Sequence, residues 1–104
     1  MKPIYSEYEM ALNTAILKWI DEPTSKNIYE DYNLIMKAKD KMLEQENVQS
    51  LEIFEANNFC EVSFTDYTFI AKDTHEEREG NKWEGSDNTL SKAVARAIGQ
   101  YLKI

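Results

Sequence analysis

The chain has 104 residues, with 12 Lys and Arg against 19 Asp and Glu, a formal charge of −7, 42% hydrophobic and 12% aromatic residues. This is the make-up of one small soluble domain over residues 1–104: too aromatic for a disordered tail and too short for a second core. An acidic surface disfavours general nucleic-acid binding, no run of about 18 apolar residues exists to span a membrane, and a single cysteine, Cys60, excludes an internal disulfide.

Ser6-Glu7-Tyr8-Glu9 has the S-x-x-E form of a capping box. Tyr8, Leu12, Ala15, Ile16 and Trp19 follow at helical spacing and predict a helix over about 7–20, stopped by Asp21-Glu22-Pro23-Thr24. A second helix is expected from about Asn27 to no later than Asn47, with Ile28, Tyr32, Ile35, Met36, Met42 and Leu43 on its apolar face. The period then changes to two. Residues 48–54 read as a strand, Glu55-Ala56-Asn57-Asn58 as a turn, and 59–64 as a second strand with Cys60, Val62 and Phe64 on one face. Thr65-Asp66 is a weak turn signal before a third strand at 67–72, and 73–81 reads as an exposed acidic loop. Lys82-Trp83-Glu84 is a short final strand ended by Gly85-Ser86. A last helix over about 90–103 is capped by Asn88 or Thr89, with Leu90, Val94, Ala97, Ile98 and Tyr101 inward.

The fold class is therefore α+β: two N-terminal helices, an antiparallel sheet of three to four strands, and a C-terminal helix. The N-terminus turns acidic without an apolar stretch, so no secretory signal is expected, and the cysteine usage fits a reducing cytoplasm.

Little in the chain suggests catalysis. Asp73, His75 and Glu76 match no metal-ligand spacing, and His75 reads as part of a solvated loop. Cys60 alternates with Val62 and Phe64 and reads as a buried thiol rather than a nucleophile. There is no Gly-rich phosphate loop and no paired carboxylates in an apolar setting, so neither an enzyme nor a cofactor is expected. Charge is unevenly spread, however. Residues 1–87 balance at −10, whereas residues 88–104 hold Lys92, Arg96 and Lys103 and no acid. Lys92, Arg96, Gly99 and Lys103 fall at i, i+4, i+7 and i+11, a stripe beside the apolar face. Arg96 has no acid three or four residues away, which leaves its fork open to a phosphate within its own helix; acids elsewhere in the fold are the competing partners. Asn88 and Thr89 sit at a helix N-terminus, where N–H donors favour an anion, and Phe69 and Trp83 are rings able to bed a nucleobase or to pack in the core.

Two stretches carry a family resemblance. Pro23-Thr24-Ser25-Lys26-Asn27-Ile28-Tyr29-Glu30-Asp31-Tyr32 and Thr89-Leu90-Ser91-Lys92-Ala93-Val94-Ala95-Arg96-Ala97-Ile98 resemble the loop with second-helix start, and the closing helix, of the small phage α-β-α sandwich proteins. Ser91 stands where a proline is common in that family, and the middle loop is unusually acidic. The resemblance implies a phage counter-defence protein in the cytoplasm of an infected bacterium. It would sequester a cyclic ADP-ribose-type (Thoeris) or cyclic oligonucleotide signal without cleaving it, as a homo-oligomer, with Arg96 on the ligand phosphates. Lys92, Phe69, Trp83, Asn88 and Thr89 join that site on the physical grounds above. The alternative is an acidic inhibitor that occupies a basic groove of a host or defence protein.

Overall fold

The computed structural model describes residues 5–66 and 81–104. Among them are three helices and a three-stranded antiparallel sheet in the order α-α-β-β-β-α: α1 (Glu7–Trp19), α2 (Tyr32–Leu43), β1 (Ser50–Ala56), β2 (Phe59–Thr65), β3 (Lys82–Asp87) and α3 (Leu90–Leu102). The expected strand at 67–72, with Phe69 and His75, lies outside the described residues.

The capping box forms as read. The Ser6 hydroxyl accepts from the Glu9 amide, and the Glu9 carboxylate accepts from the Ser6 amide. Leu12 and Ile16 are buried, as the spacing predicts, and Leu17 joins them. The second helix starts later than expected. Asn27 spends its side chain on a local turn, accepting from the Tyr29 amide at 2.8 Å, and Asp31 is the cap instead, accepting from the Asn33 amide at 3.0 Å. Residues 24–30 are held by α1: Asn13 donates to the Lys26 carbonyl and accepts from the Ile28 amide, which buries Ile28 without a helix around it. Tyr32, expected inward, is 61% exposed on the first turn of α2.

The expected four-residue turn between the first two strands contracts to Asn57-Asn58. Asn58 takes φ 60°, a left-handed conformation that asparagine tolerates, so Glu55 and Ala56 continue β1, with Ala56 opposite Phe59. The last strand runs three residues further than expected. Gly85 does not end it; Gly85 pairs with Val62, and Asp87 pairs with Cys60. The glycine is required by the helix above it. A Cβ there would lie 2.5 Å from the Ala93 carbonyl oxygen and 2.6 Å from the Ala97 nitrogen.

Helix α3 is the centre of the fold. It packs on β2 and β3 through one side and on α1 and α2 through others, so Ala93, Val94, Ala95, Ala97, Ile98 and Gly99 are all buried. A helix buried on most sides needs small residues where backbones approach, which accounts for its alanines and for Gly99, which meets Leu12 and Tyr8 of α1. Cys60, Val62 and Phe64 of β2 point into the same core, and a side chain such as Phe64 contributes about 2 kcal/mol by leaving water. β1 is sheltered only near its start, where Leu51 packs on the core; Ile53 further along the same face is exposed, as is Phe54 on the other face. Tyr101 ties the far end together, meeting Trp83 edge-on at 5.2 Å and donating to Gln45.

Candidate functional site

The first turns of α3 meet the start of α1 and residues 27–30. Thr89 caps α3, its hydroxyl accepting from the Lys92 amide at 3.3 Å. This cap sets the helix so that Lys92 and Arg96, one turn apart, project along the α1 side.

Each cation lies over a tyrosine ring and beside a carboxylate. Lys92 Nζ is 5.6 Å from the centre of the Tyr5 ring and 3.2 Å from Glu9 Oε2. Arg96 Cζ is 5.4 Å from the Tyr8 ring, and its Nε donates to Asp87 Oδ2 at 2.8 Å. Both ring contacts are within cation–π range. Tyr5 stacks on Tyr29 with centroids 5.0 Å apart and donates to Glu30. Tyr29 in turn donates to the Glu9 carbonyl oxygen at 2.6 Å. The result is a ledge of three tyrosines, two cations and three carboxylates drawn from Tyr5 and α1, residues 27–30, the end of β3 and α3.

The titration behaviour follows from these contacts. The Ser6 amide and the Lys92 ammonium hold the Glu9 carboxyl below its ordinary value, against the effect of burial. Burial pushes Asp87 up, but the hydrogen bonds from Arg96 and the Asn88 amide, with the charges of Arg96 and Lys92, bring it below the ordinary value. Asp87 raises the Arg96 guanidinium. Burial raises the Tyr29 phenol, with Glu9 adding to it, and burial and Glu30 raise Tyr5. Glu9, Asp87 and Arg96 therefore hold their charges, and Tyr5 and Tyr29 stay neutral, through neutral pH.

Of the residues singled out from the sequence, Lys92, Arg96, Thr89 and Asn88 are brought together here. The fork of Arg96 has no partner in its own helix, as read, and Asp87 supplies one from β3, the competing pairing that the sequence left open. The cause is the extra length of β3, which carries Asp87 to the start of α3. Lys92 is likewise matched, by Glu9. Asn88 is exposed and donates its backbone amide to Asp87 Oδ1. Trp83 is elsewhere: it packs on Tyr101, about 13 Å along the strand from Asp87. Phe69 lies outside the described residues. Sequence reasoning missed Tyr5, Tyr8, Glu9, Tyr29 and Asp87. Glu9 was visible only as a local cap, and nothing in its spacing points to a cation on the last helix.

Among the described residues no cluster of His, Cys, Asp and Glu is arranged to hold a metal, and no helix is long and apolar enough to cross a membrane. Cys60 is a buried free thiol. An open groove of about 550 Å³ runs between the end of α1 and α2, but Lys37 in it is held by Glu22 and Lys41 by the Trp19 carbonyl. Comparison with known protein families, curated proteins and solved structures finds no match for this chain.

Proposed function

We propose that the chain is a binding protein without catalytic chemistry, and that the ledge takes a small anionic ligand bearing a flat ring, of the cyclic ADP-ribose or cyclic oligonucleotide kind. The observation that carries this reading is the double pairing at the start of α3: Lys92 and Arg96 each sit over a tyrosine ring and are held in place by a carboxylate. Rings beside cations suit the two halves of a nucleotide, base and phosphate. Asp87 engages the guanidinium through Nε, so the terminal N–H groups of Arg96 are the donors a phosphate would take. The two stretches that resemble the phage sandwich proteins meet in this place, one bringing Tyr29 and the other Lys92 and Arg96. That convergence supports extending the reading to sequestration of an immune signal in phage counter-defence, with copies of the chain assembling around it.

The test is a thermal-shift screen against cyclic ADP-ribose isomers and cyclic di- and trinucleotides, followed by mass analysis of the ligand recovered after denaturation. A ligand at 100 times its dissociation constant stabilises by about 2.7 kcal/mol, roughly ten degrees for a domain of this size. The expected result is a large shift with one ligand, lost in Arg96→Ala and in Tyr5→Leu, and recovery of the ligand intact. No shift with any of them, or a hydrolysed ligand, overturns the reading.

One observation favours the second reading, an acidic inhibitor of a protein with a basic groove. The sheet face turned away from α3 carries Glu52, Glu61 and Glu84, all exposed, with Phe54 and Phe59 edge-on to one another beside them. That reading predicts capture of a basic host protein at low salt, reversed as salt rises.

A further inference from the structure

The two edges of the sheet are treated differently. On β3 the outward amide of Glu84 is closed by Gln100, which accepts from it at 2.9 Å. On β1 no such stopper is present among the described residues. Ala56 and Phe59 close the two-residue hairpin as a hydrogen-bonded pair, so strand alternation turns the amides and carbonyls of Leu51, Ile53 and Glu55 away from β2. Residues 50–56 contain no proline, lysine or glycine to blunt this edge, and its only charges are Glu52 and Glu55. The hairpin also exposes apolar side chains. Ile53 is 43% exposed on the face toward α3, and Phe54 and Phe59 are 57% and 40% exposed on the other face.

We propose that β1 is a self-pairing edge, on which a second copy of this chain docks antiparallel about a two-fold axis through Ile53. The strand runs from Ser50 to Ala56, so Ile53 is its midpoint, and a two-fold there pairs the strand along its whole length. In that register Ile53 faces Ile53 of the second copy, Glu52 faces Phe54, and Leu51 faces Glu55; no carboxylate stands opposite another. Shifting the axis to Glu52 sets Glu52 against Glu52, and shifting it to Phe54 leaves Ser50 and Leu51 beyond the partner strand. The outward groups of Leu51, Ile53 and Glu55 meet their counterparts as hydrogen-bonded pairs, six bonds in all. Two strand backbones, with Ile53 meeting Ile53 on one face and Phe54 beside the second copy's strand on the other, make a small interface, so a dimer of about micromolar affinity or weaker is expected. This proposal stands apart from the ledge, whose Asp87 lies on the opposite edge strand.

The test is sedimentation equilibrium of the full chain from about 5 to about 200 μM. The average mass is expected to climb from 12.2 kDa toward twice that value. Ile53→Lys, which puts like charges across the axis, should hold the mass at 12.2 kDa while the circular dichroism stays that of the parent. A positional readout covers the case of a variant that fails to fold. Ile53→Cys combined with Cys60→Ala should form an intermolecular disulfide on mild oxidation, because opposed residues of a hydrogen-bonded pair lie about 5.5 Å apart at Cα. Glu55→Cys in the same background, facing Leu51, should not. A monomer throughout the range overturns the proposal, whether the edge is left to solvent or covered by another part of the same chain. So does a dimer that neither responds to Ile53→Lys nor cross-links through position 53.

Discussion

Gly85→Ala is the sharpest test of how β3 and α3 fit together. The added Cβ would sit 2.5 Å from the Ala93 carbonyl oxygen and 2.6 Å from both the Ala97 nitrogen and Arg96 Cβ, where ordinary contact begins at 3.4 Å. The shortfall is about 0.9 Å, and two of the three atoms are helix backbone that cannot rotate aside. Helix α3 must then lift by about 1 Å, but α1 and α2 press on its other sides. Overpacking of this kind costs 1–3 kcal/mol, and the backbone clash places Gly85→Ala at about 3 kcal/mol, a fall in melting temperature of about 15 °C. Gly99→Ala is the matched control. Its Cβ would also lie 2.5 Å from an atom, but that atom is the Cδ2 methyl of Leu12, at the free end of a side chain. Its rearrangement is offset by a gain of about 1 kcal/mol in helix propensity, so the melting point should move by only a few degrees. Both are read by circular dichroism during heating and in urea. Equal losses for the two variants, or a Gly85→Ala melt within about 5 °C of the parent, would show that the strand and helix are not in backbone contact at this residue.

Further outcomes are expected around the ledge. Tyr29→Phe removes the hydrogen bond to the Glu9 carbonyl and should cost about 1 kcal/mol in urea denaturation, with no change in the denaturant slope. Arg96→Ala should cost no more than about 1 kcal/mol, because its ion pair with Asp87 is partly solvated and screened, so its loss of ligand binding can be measured on a folded protein. Glu9 and Asp87 both have folded-state values below their unfolded ones, so the stability they contribute is present above the ordinary carboxylate range and is lost as pH falls through the folded values. Glu22, lowered from 4.5 to about 2 by Lys26 and Lys37, extends the window downward. Urea midpoints should therefore be level from about pH 5 upward and fall below about pH 4, and Glu9→Gln with Asp87→Asn should flatten that fall. Cys60 should react with an aromatic disulfide reagent only as fast as the domain opens, in proportion to urea, since the thiol is buried.

The parts of this fold that were legible in the sequence are those governed by local chemistry. The capping box at Ser6 and Glu9, the cap at Thr89 and the alternation of Cys60, Val62 and Phe64 each depend on residues within a few positions of one another. Where the reading failed, a distant partner had changed the meaning of a local signal. Gly85-Ser86 has the composition of a turn, but the glycine is there for a helix that packs on it, which no window of β3 contains. Asn27 has the composition of a helix cap, but Asn13 fastens the chain around it to α1. Arg96 was found because helix spacing shows what lies within a turn of it; Asp87 and Tyr8 were missed because one depends on where β3 ends and the other on how α1 crosses α3. The exposure of Ile53 was hidden for the same reason, since alternation gives a strand two faces and says nothing of how far the covering helix reaches.

The pairing of Lys92 and Arg96 with carboxylates bears directly on what kind of ligand the ledge can hold. A lone phosphate arriving at Arg96 exchanges one charge-assisted bond for another of the same kind, and gains little by doing so. Net affinity has to come from contacts that the carboxylates do not already make: the terminal guanidinium N–H groups, the remaining Lys92 donors, and stacking on the tyrosines, worth about 1–3 kcal/mol per base. A ligand with both a ring and two or more linked phosphates collects all of these at once, whereas inorganic phosphate or a free nucleoside collects only one. Pyrophosphate and adenosine tested separately should therefore bind at least a hundredfold more weakly than a cyclic nucleotide that joins the two parts, an increment of about 2.7 kcal/mol. Because Glu9 and Asp87 stay ionised through neutral pH, that difference should be level from about pH 5.5 to pH 8. Equal affinity for phosphate alone would mean that the carboxylates give way easily and that the tyrosines take no part, and the ledge would then be an anion site of a simpler kind.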